Sequence, residues 1–186
     1  MFRALRHRNY KLFFAGQSVS VIGTWMGRMA ISWLVWRLTG SATMLGVVAF
    51  LGAVPAFALA PFGGSAVDWF DRYRVLLASQ AGLGLVALVL GTLVLTGNEA
   101  IWSVILLATL MGVVRAFDVP ARQALVVDLV DDREDLGNAI ALNSTMVNGA
   151  KLIGPTVAGA VIATVGEGIL FLADGFSYVF VIAAML

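Results

Sequence analysis

Three cationic side chains lie inside long apolar runs of the sequence, at Arg28, Arg115 and Lys151. A charge in the hydrocarbon core of a bilayer is unfavourable on every insertion scale, so each cation requires water or a partner. Of the carboxylates at comparable positions, Asp118 has an arginine one helical turn away on either side, and Asp174 lies in the last run. Asp118 can therefore pair with Arg115, whereas Arg28 and Lys151 lack an acidic partner. The pattern predicts a hydrated, electropositive cavity for an anionic substrate; the alternative is that backbone carbonyls satisfy the cations.

Polar residues of the first apolar run recur every three or four positions, which places them on one face of a helix. They are Gln17, Ser20, Thr24, Arg28 and Ser32. Ser144, Asn148 and Lys151 form a similar face in a later run. Lipid offers no hydrogen bonds, so such faces point toward protein or a wet cavity, and hydrogen bonding between helices is an alternative for the uncharged residues. The predicted substrate and ion path consists of Gln17, Thr24, Arg28, Arg115, Asn148 and Lys151.

The sequence lacks the residues of a conventional enzyme site. It contains no cysteine and a single histidine, His7, near the N-terminus, so we expect neither a His-based hydrolase site nor a metal site. There is no glycine-rich phosphate loop with its lysine, and we expect no cofactor. A net charge of +1 gives no indication of nucleic-acid binding. We therefore expect a protein that is not an enzyme.

The composition is that of a membrane protein, because 60% of the 186 residues are hydrophobic and 12% are charged. Six apolar runs are each long enough to cross a bilayer. They are 12–36, 42–62, 75–96, 101–119, 139–165 and 168–186. The predicted fold class is all-α, with six transmembrane helices and short turns at Gly40, Gly97 and Gly166 on one side.

The Lys and Arg residues outside the runs concentrate on one side of the predicted bundle. They are Arg3, Arg6, Arg8, Lys11, Arg72, Arg74, Arg122 and Arg133, whereas the other side has Arg37 alone. The positive-inside rule then predicts a multi-pass protein of the cell membrane with both termini in the cytoplasm.

Segment 61–76 is the most compact charged interruption between two runs. Gly63 and Gly64 precede a mixed-sign cluster of Asp68, Asp71, Arg72 and Arg74. A glycine there allows two helix ends to approach closely. A charged hairpin that only ends two helices is the alternative, and the spacing favours a gating loop.

Prolines predict breaks in two other runs. Pro120 is expected to end or bend its helix, followed by a short interfacial helix at 122–129 and a solvated acidic run at 131–135. Gly154 and Pro155, with Gly159 further on, predict a bend in the fifth run.

The first three apolar runs show a weak internal similarity to the last three. Glycine and proline cluster in the second and fifth runs, as two inverted three-helix repeats at 1–96 and 97–186 would produce. The last run stops without a charged flank, which predicts that the chain is one half of a longer protein, its second half being absent.

Several segments resemble the transmembrane secretion effector branch of the major facilitator superfamily, which includes enterobactin-exporter-like proteins. They are 2–17, 23–26, 32–40, 117–124, 139–144 and 148–155, together with Gly64-x-x-x-Asp68-x-x-Asp71-Arg72-x-Arg74. The resemblance implies a secondary exporter of twelve helices in a bacterial inner membrane, of which this chain is the first six. It implies efflux of siderophores, macrolides or other hydrophobic compounds, with proton antiport as the usual coupling.

The resemblance also implies roles for single residues. The cytoplasmic loop signature, which latches the two halves, is matched by Gly64, Asp68, Asp71, Arg72 and Arg74, in a charge relay with Asp118. The fifth-helix antiporter signature is matched by Gly154, Pro155 and Gly159. Arg115 matches the fourth-helix arginine associated with proton coupling. The sequence departs from the pattern at Trp69, where a basic residue is usual, and at Asp71, where a glycine is usual outside this branch. Its first helix lacks the acid of many drug–proton antiporters.

Two functions follow as expectations. The first is an alternating-access exporter of small hydrophobic or anionic compounds, whose partners are the substrate, the bilayer, protons and the second six-helix half. The second is a six-helix membrane module that does not transport and assembles with a partner or with its missing half.

Overall fold

The computed structural model describes residues 6–128 and 133–185. Over these residues the chain forms seven helices and no strand. They are α1 (Arg8–Thr39), α2 (Ala42–Ala58), α3 (Ala60–Trp69), α4 (Arg72–Leu95), α5 (Ile101–Asp128), α6 (Arg133–Val165) and α7 (Glu167–Met185). The prediction of an all-α fold is confirmed.

Tight turns around glycine connect the helices at three places. Gly40, Gly97 and Gly166 have positive φ angles of 59°, 68° and 86°, which glycine adopts without strain. The three predicted turns are therefore confirmed. Gly40 ends α1 by donating its N–H to the carbonyl of Trp36 at 2.8 Å. Ser41 then accepts a hydrogen bond from the first turn of α2 at 3.3 Å and caps that helix.

The charged segment between the second and third runs is mostly helical, which corrects its interpretation as a loop. α2 and α3 are bent by 43° relative to each other. Pro61 lies in the first turn of α3, where its missing N–H removes no helical hydrogen bond. Only Phe70 and Asp71 separate α3 from α4. Asp71 caps α4 by accepting hydrogen bonds from the backbone N–H of Tyr73 (2.9 Å) and of Arg74 (3.2 Å).

α5 runs unbroken through Pro120 to Asp128, so the prediction of a separate interfacial helix is wrong. The proline leaves the carbonyl of Ala116, one turn back, without its helical hydrogen bond. That carbonyl lies against Gly63 of α3, where a Cβ atom would collide with it. The freed oxygen therefore lies in the close contact between α3 and α5, at a position where the neighbouring residue is a glycine.

α6 also begins earlier than expected, at Arg133. The first part of the predicted acidic run, 131–132, lies outside the described residues, and the remainder belongs to α6. Pro155 lies within this helix, which continues to Val165.

The helices pack in the order α6, α1, α7, α4, α5, α2, with α3 beside α5. A buried apolar cluster that includes Leu34, Leu90 and Phe171 joins α1, α4 and α7. α1 makes much less contact with α2 and α5 than with α6 and α7. The candidate site lies in this gap.

Among the described residues, three helical segments are long and apolar enough to cross a membrane, namely Arg72–Leu95, Ile101–Val126 and Asp135–Val165. The bent pair Ala42–Ala58 and Ala60–Trp69 is a fourth candidate if it forms one span. The number of six spans and the division into two repeats stay predictions.

Candidate functional site

A cavity of about 260 Å³ lies between α1, α2 and α5. We call it the arginine cavity, after Arg28 of α1 and Arg115 of α5. Its lining consists of Arg28, Ile31, Ser32, Val35, Leu45, Val48, Ala49, Gly52, Ala53, Ala108, Met111 and Arg115. The lining contains no acidic residue, and the positive charge of Arg115 acts on that of Arg28. Two like charges therefore share a largely apolar cavity, which favours binding of an anion.

The polar face of α1 divides into two parts along the helix. Arg28 and Ser32 reach the arginine cavity. Thr24 instead lies 3.2 Å from the hydroxyl of Tyr178 on α7. Gln17 is completely buried, and neither its amide nitrogen nor its amide oxygen has a hydrogen-bond partner in the described part of the chain. Of the three α1 residues on the predicted path, only Arg28 lines this cavity.

Trp25 connects the two cations that the sequence left without a partner. The guanidinium of Arg28 lies 4.6 Å from the centre of the Trp25 ring, and the ammonium of Lys151 lies 5.7 Å from it. Contacts of this length are favourable cation–π interactions. Gly154 of α6 packs beneath Trp25, since a Cβ there would lie 2.5 Å from the tryptophan Cβ. Trp25 precedes Arg28 by three residues, a spacing that places both side chains on one face of α1.

The remaining predicted residues of α6 do not lie in the arginine cavity. Asn148 is exposed, as is Lys151 apart from its contact with Trp25. Gly159 is also exposed, and a Cβ there would meet nothing within 4 Å.

The predicted gating residues divide between the surface and the interior. Asp68, Asp71 and Arg74 are exposed at the junction of α3 and α4. Asp118 is buried, and its carboxylate accepts hydrogen bonds from Gln80 of α4 and from Arg122 one turn further along α5. Of the two arginines that flank Asp118 on its helix, Arg122 is thus the one that binds it. Gln80 is a contact that the sequence interpretation missed.

The glycines of the gating segment differ in the same way. Both glycines were expected to let helices approach closely, and Gly63 makes such a contact with α5, whereas a Cβ at Gly64 would meet nothing within 4 Å.

Arg37, in the last turn of α1, binds two glutamates. Its Nε donates to Glu167 Oε1 at 2.6 Å, and its terminal nitrogen donates to Glu99 Oε1 at 2.8 Å. The hydrogen bond from Arg37 lowers the pKa of the Glu99 carboxyl. We call this group the Arg37 cluster. It fastens α1 to the turn before α5 and to the start of α7, and the sequence interpretation did not identify it because its members are far apart in the chain.

These features define the class of the protein as a helical membrane protein with two arginines at a cavity, neither of which has an ion pair among the described residues. A sequence model of the transmembrane secretion effector family matches residues 1–186. The chain therefore belongs to this family of the major facilitator superfamily, as its sequence predicted.

Three relatives illustrate the range of the family. The staphyloferrin A transporter of Staphylococcus aureus is 31% identical over 169 residues, which cover 90% of this chain and 42% of that protein. The macrolide efflux protein A of Streptococcus pyogenes is 28% identical over 157 residues, or 82% and 38%. The multidrug efflux pump Tap of Mycolicibacterium fortuitum is 29% identical over 157 residues, or 82% and 36%. The chain thus spans less than half the length of these relatives.

Proposed function

We propose that this chain is one half of an exporter that moves small hydrophobic or anionic compounds across the cell membrane by alternating access. The observation that carries the proposal is the arginine cavity, where Arg28 and Arg115 share a lining that contains no acid. An anionic group of the substrate would supply the opposite charge, and the apolar lining would hold its hydrophobic part. Relatives named as transporters and efflux proteins support export as the activity.

The proposed architecture is a bundle of six spans built from two inverted repeats, 1–96 and 97–186, with both termini in the cytoplasm. The concentration of Lys and Arg residues in the segments on one side of the predicted bundle supports this orientation. The second half would come from the remainder of a longer protein, since the relatives are more than twice as long as their matched part. The cavity would then lie at the interface of the two halves.

In this proposal, Trp25 and Lys151 extend the arginine cavity toward α6. An aromatic face with a cation on it offers stacking and charge to the same ligand. Asn148, one turn before Lys151, adds a hydrogen-bonding side chain on an exposed face. We place Gln17 and Thr24 behind the path, where Thr24 shares a hydrogen bond with Tyr178 of α7 and Gln17 is buried.

The cytoplasmic gate is proposed at the junction of α3 and α4. Asp68 is exposed there and free to bind a cation of the second half, while Asp118 holds α4 and α5 together beneath it. In proteoliposomes of the full-length protein, Asp68→Asn should slow turnover and leave substrate binding nearly intact. Equal loss of binding and turnover would contradict a gating role.

Protons are the coupling ion that we propose, on the strength of the family relationship. Collapse of the pH gradient across inverted membrane vesicles should then stop export while leaving substrate bound. Export that continues unchanged would show that another ion or the substrate gradient drives the cycle.

The cavity is tested with two probes of the same shape, naphthalene-2-sulfonate and the neutral methyl naphthyl sulfone. Arg28→Ala and Lys151→Ala should weaken binding of the sulfonate by about tenfold, the usual effect of losing one charged contact, and leave the sulfone unchanged. Lys11→Ala, which removes an exposed cation near the start of α1, is the matched control. If both variants bind and move both probes normally, the cavity assignment is wrong. A module that does not transport would leave both probes unmoved in the wild type.

A further inference from the structure

Two cations on different helices share one tryptophan. The guanidinium of Arg28 lies 4.6 Å from the centre of the Trp25 ring, and the ammonium of Lys151 lies 5.7 Å from the same point. The two charges are therefore no more than about 10 Å apart, because each lies within cation–π distance of one ring centre. Since Arg28 also lines the arginine cavity, it connects the cavity to Lys151 through direct contacts.

The close packing of α1 and α6 holds the backbone of Lys151 near Trp25. A Cβ atom at Gly154 would lie 2.5 Å from the Cβ of Trp25 and 3.2 Å from the backbone nitrogen of Met26. The absence of a side chain at Gly154 thus allows the two helices to approach closely. Lys151 precedes Gly154 by three residues, which places it on the same face of α6. Its side chain is exposed, so a ligand can reach it.

No carboxylate of the described chain forms an ion pair with Arg28 or Lys151. Residues 8–39 of α1 and 136–165 of α6 include neither Asp nor Glu. On the neighbouring helices, Asp118 binds Arg122, and another carboxylate, on α7, packs against glycines of α1. The positive charge around Trp25 is therefore available to a ligand.

The relative strength of the contacts favours an anion over the tryptophan ring. A cation–π contact at an exposed site is weaker than a charge-assisted hydrogen bond to an anionic oxygen. A ligand anion would therefore replace the ring as the partner of a cation. One anionic group offsets only part of the charge of Arg28, Arg115 and Lys151. A second group on the same molecule offsets more of it, and it binds without a second loss of translational freedom.

We propose that the ligand of this chain carries two anionic groups, one bound by Arg28 and Arg115 in the arginine cavity and the other bound by Lys151 beside Trp25. The inference rests on the proposed function in that the cavity must bind anions. It narrows the ligand class to dianions such as dicarboxylates and disulfonates. Trp25 is a positioning residue, because its ring keeps the two cations within reach of one small molecule in the free protein.

The proposal is tested by calorimetry on the full-length protein in nanodiscs. The probes are naphthalene-2-sulfonate and naphthalene-2,6-disulfonate, which share one ring system and differ by one anionic group. The disulfonate should bind the wild type about tenfold more tightly, the usual effect of one further charged contact. We call the ratio of the two dissociation constants the dianion advantage. Equal affinities for the two probes overturn the proposal.

Substitutions of Lys151 test where the second anionic group binds. Lys151→Ala should reduce the dianion advantage to about twofold, the statistical value for a ligand with two equivalent groups, whatever its effect on the monosulfonate. Lys151→Arg keeps the cation and should keep the advantage. Lys11→Ala removes an exposed cation near the start of α1 and should also keep it. An advantage that persists in Lys151→Ala, or that falls equally in Lys11→Ala, would show that the disulfonate responds only to overall positive charge.

Substitutions of Trp25 test the positioning role. Trp25→Leu should reduce the dianion advantage more than it changes the affinity for the monosulfonate, because the ring that keeps Arg28 and Lys151 together is lost. Trp25→Phe retains an aromatic face and should restore the advantage. A full advantage in Trp25→Leu would show that the ring does not position the cations.

Two outcomes separate this inference from the proposed function. If the wild type binds both probes equally and Arg28→Ala weakens both, the cavity binds anions and the proposal of a dianion is wrong. If the wild type binds neither probe, the proposed function fails and the inference with it.

Discussion

Arg28 and Arg37 lie on the same helix but in opposite electrostatic surroundings. Arg37 donates to two carboxylates, of Glu99 and Glu167, at the turn where α1 ends. Arg28 has a tryptophan face beside it and a second arginine across the cavity. An arginine that only fastened helices together would be expected to resemble Arg37. The difference agrees with the proposal that Arg28 binds a ligand.

α5 also contains one arginine that binds a carboxylate and one that lines the cavity. Arg122 binds the buried carboxylate of Asp118, whereas Arg115, on the other side of Asp118, lines the arginine cavity. Among the described residues, Arg37 and Arg122 thus have carboxylate partners, whereas Arg28 and Arg115 at the cavity have no ion pair. The following predictions test this contrast.

The largest effect is expected from removing the carboxylate that pairs Arg122. Asp118→Ala leaves a largely buried guanidinium and the completely buried amide of Gln80 without their partner. Breaking one side of a buried ion pair destabilises a protein by about 3–5 kcal/mol. We expect a clear fall in the thermal unfolding midpoint of the full-length protein in detergent.

The matched control for Asp118→Ala is Asp68→Ala, which removes an exposed carboxylate from the same side of the bundle. Its unfolding midpoint should stay close to that of the wild type. Equal destabilisation by the two variants would show that Asp118 is not specially paired.

The next effect concerns the unpaired arginine. Arg28→Glu replaces attraction of an anion by repulsion in the cavity, so sulfonate binding should weaken by about a hundredfold, which corresponds to about 3 kcal/mol. A cationic probe of the same shape should gain affinity. Lys11→Glu makes the same charge change on an exposed part of α1 and should leave both affinities unchanged. Unaltered selectivity in Arg28→Glu would remove the basis of the comparison.

Substitution by methionine should change the free energy of unfolding more at Arg37 than at Arg28. Arg37→Met removes the cation that Glu99 and the largely buried Glu167 share, and we expect a loss of about 1–2 kcal/mol in unfolding free energy. Arg28→Met removes a charge without a carboxylate partner and should change stability by less than about 0.5 kcal/mol. Chemical denaturation in detergent measures both. A similar loss in Arg28→Met would show that this arginine, too, is structural.

Much of this arrangement follows from the sequence because it depends on local patterns. Apolar runs, glycine turns and the absence of carboxylates near Arg28 are all read along one helix or one turn. The error at Pro120 concerns packing between helices: proline usually breaks a helix, but here α5 continues, and the freed carbonyl of Ala116 lies in the contact with Gly63 of α3. No local pattern shows which helix covers a carbonyl.

The candidate site was predictable to a similar extent. Arg28 and Arg115 could be singled out by their charge, and the structure places both in one lining. Gln17 shares its helical face with Arg28 but is buried, nearer the N-terminal end of α1. One continuous face of a helix contacts different neighbours along its length. The Arg37 cluster depends on two connections that come together only in the folded chain. Sequence spacing therefore identifies the helix face but not its neighbours.

The smallest effect distinguishes the two arginines by pH. The hydrogen bond from Arg37 lowers the pKa of Glu99, so its ionised form stabilises the folded state. This contribution is complete above pH 4.5, the ordinary pKa of a glutamate, and is lost as the pH falls through the lower pKa of the folded protein. Glu99→Gln should therefore have a slightly lower unfolding midpoint than the wild type at neutral pH, and the difference should shrink in acid.

A double-variant cycle assigns this pH dependence to the Arg37 cluster. In an Arg37→Met background, Glu99→Gln should change the midpoint little at any pH, because the carboxylate no longer has its donor. In an Arg28→Met background, the full pH-dependent difference should persist, since Arg28 holds no carboxylate. If Arg28→Met also abolished the pH-dependent difference, the two arginines would belong to one charge network. The conclusion that Arg28 has no carboxylate partner would then be wrong.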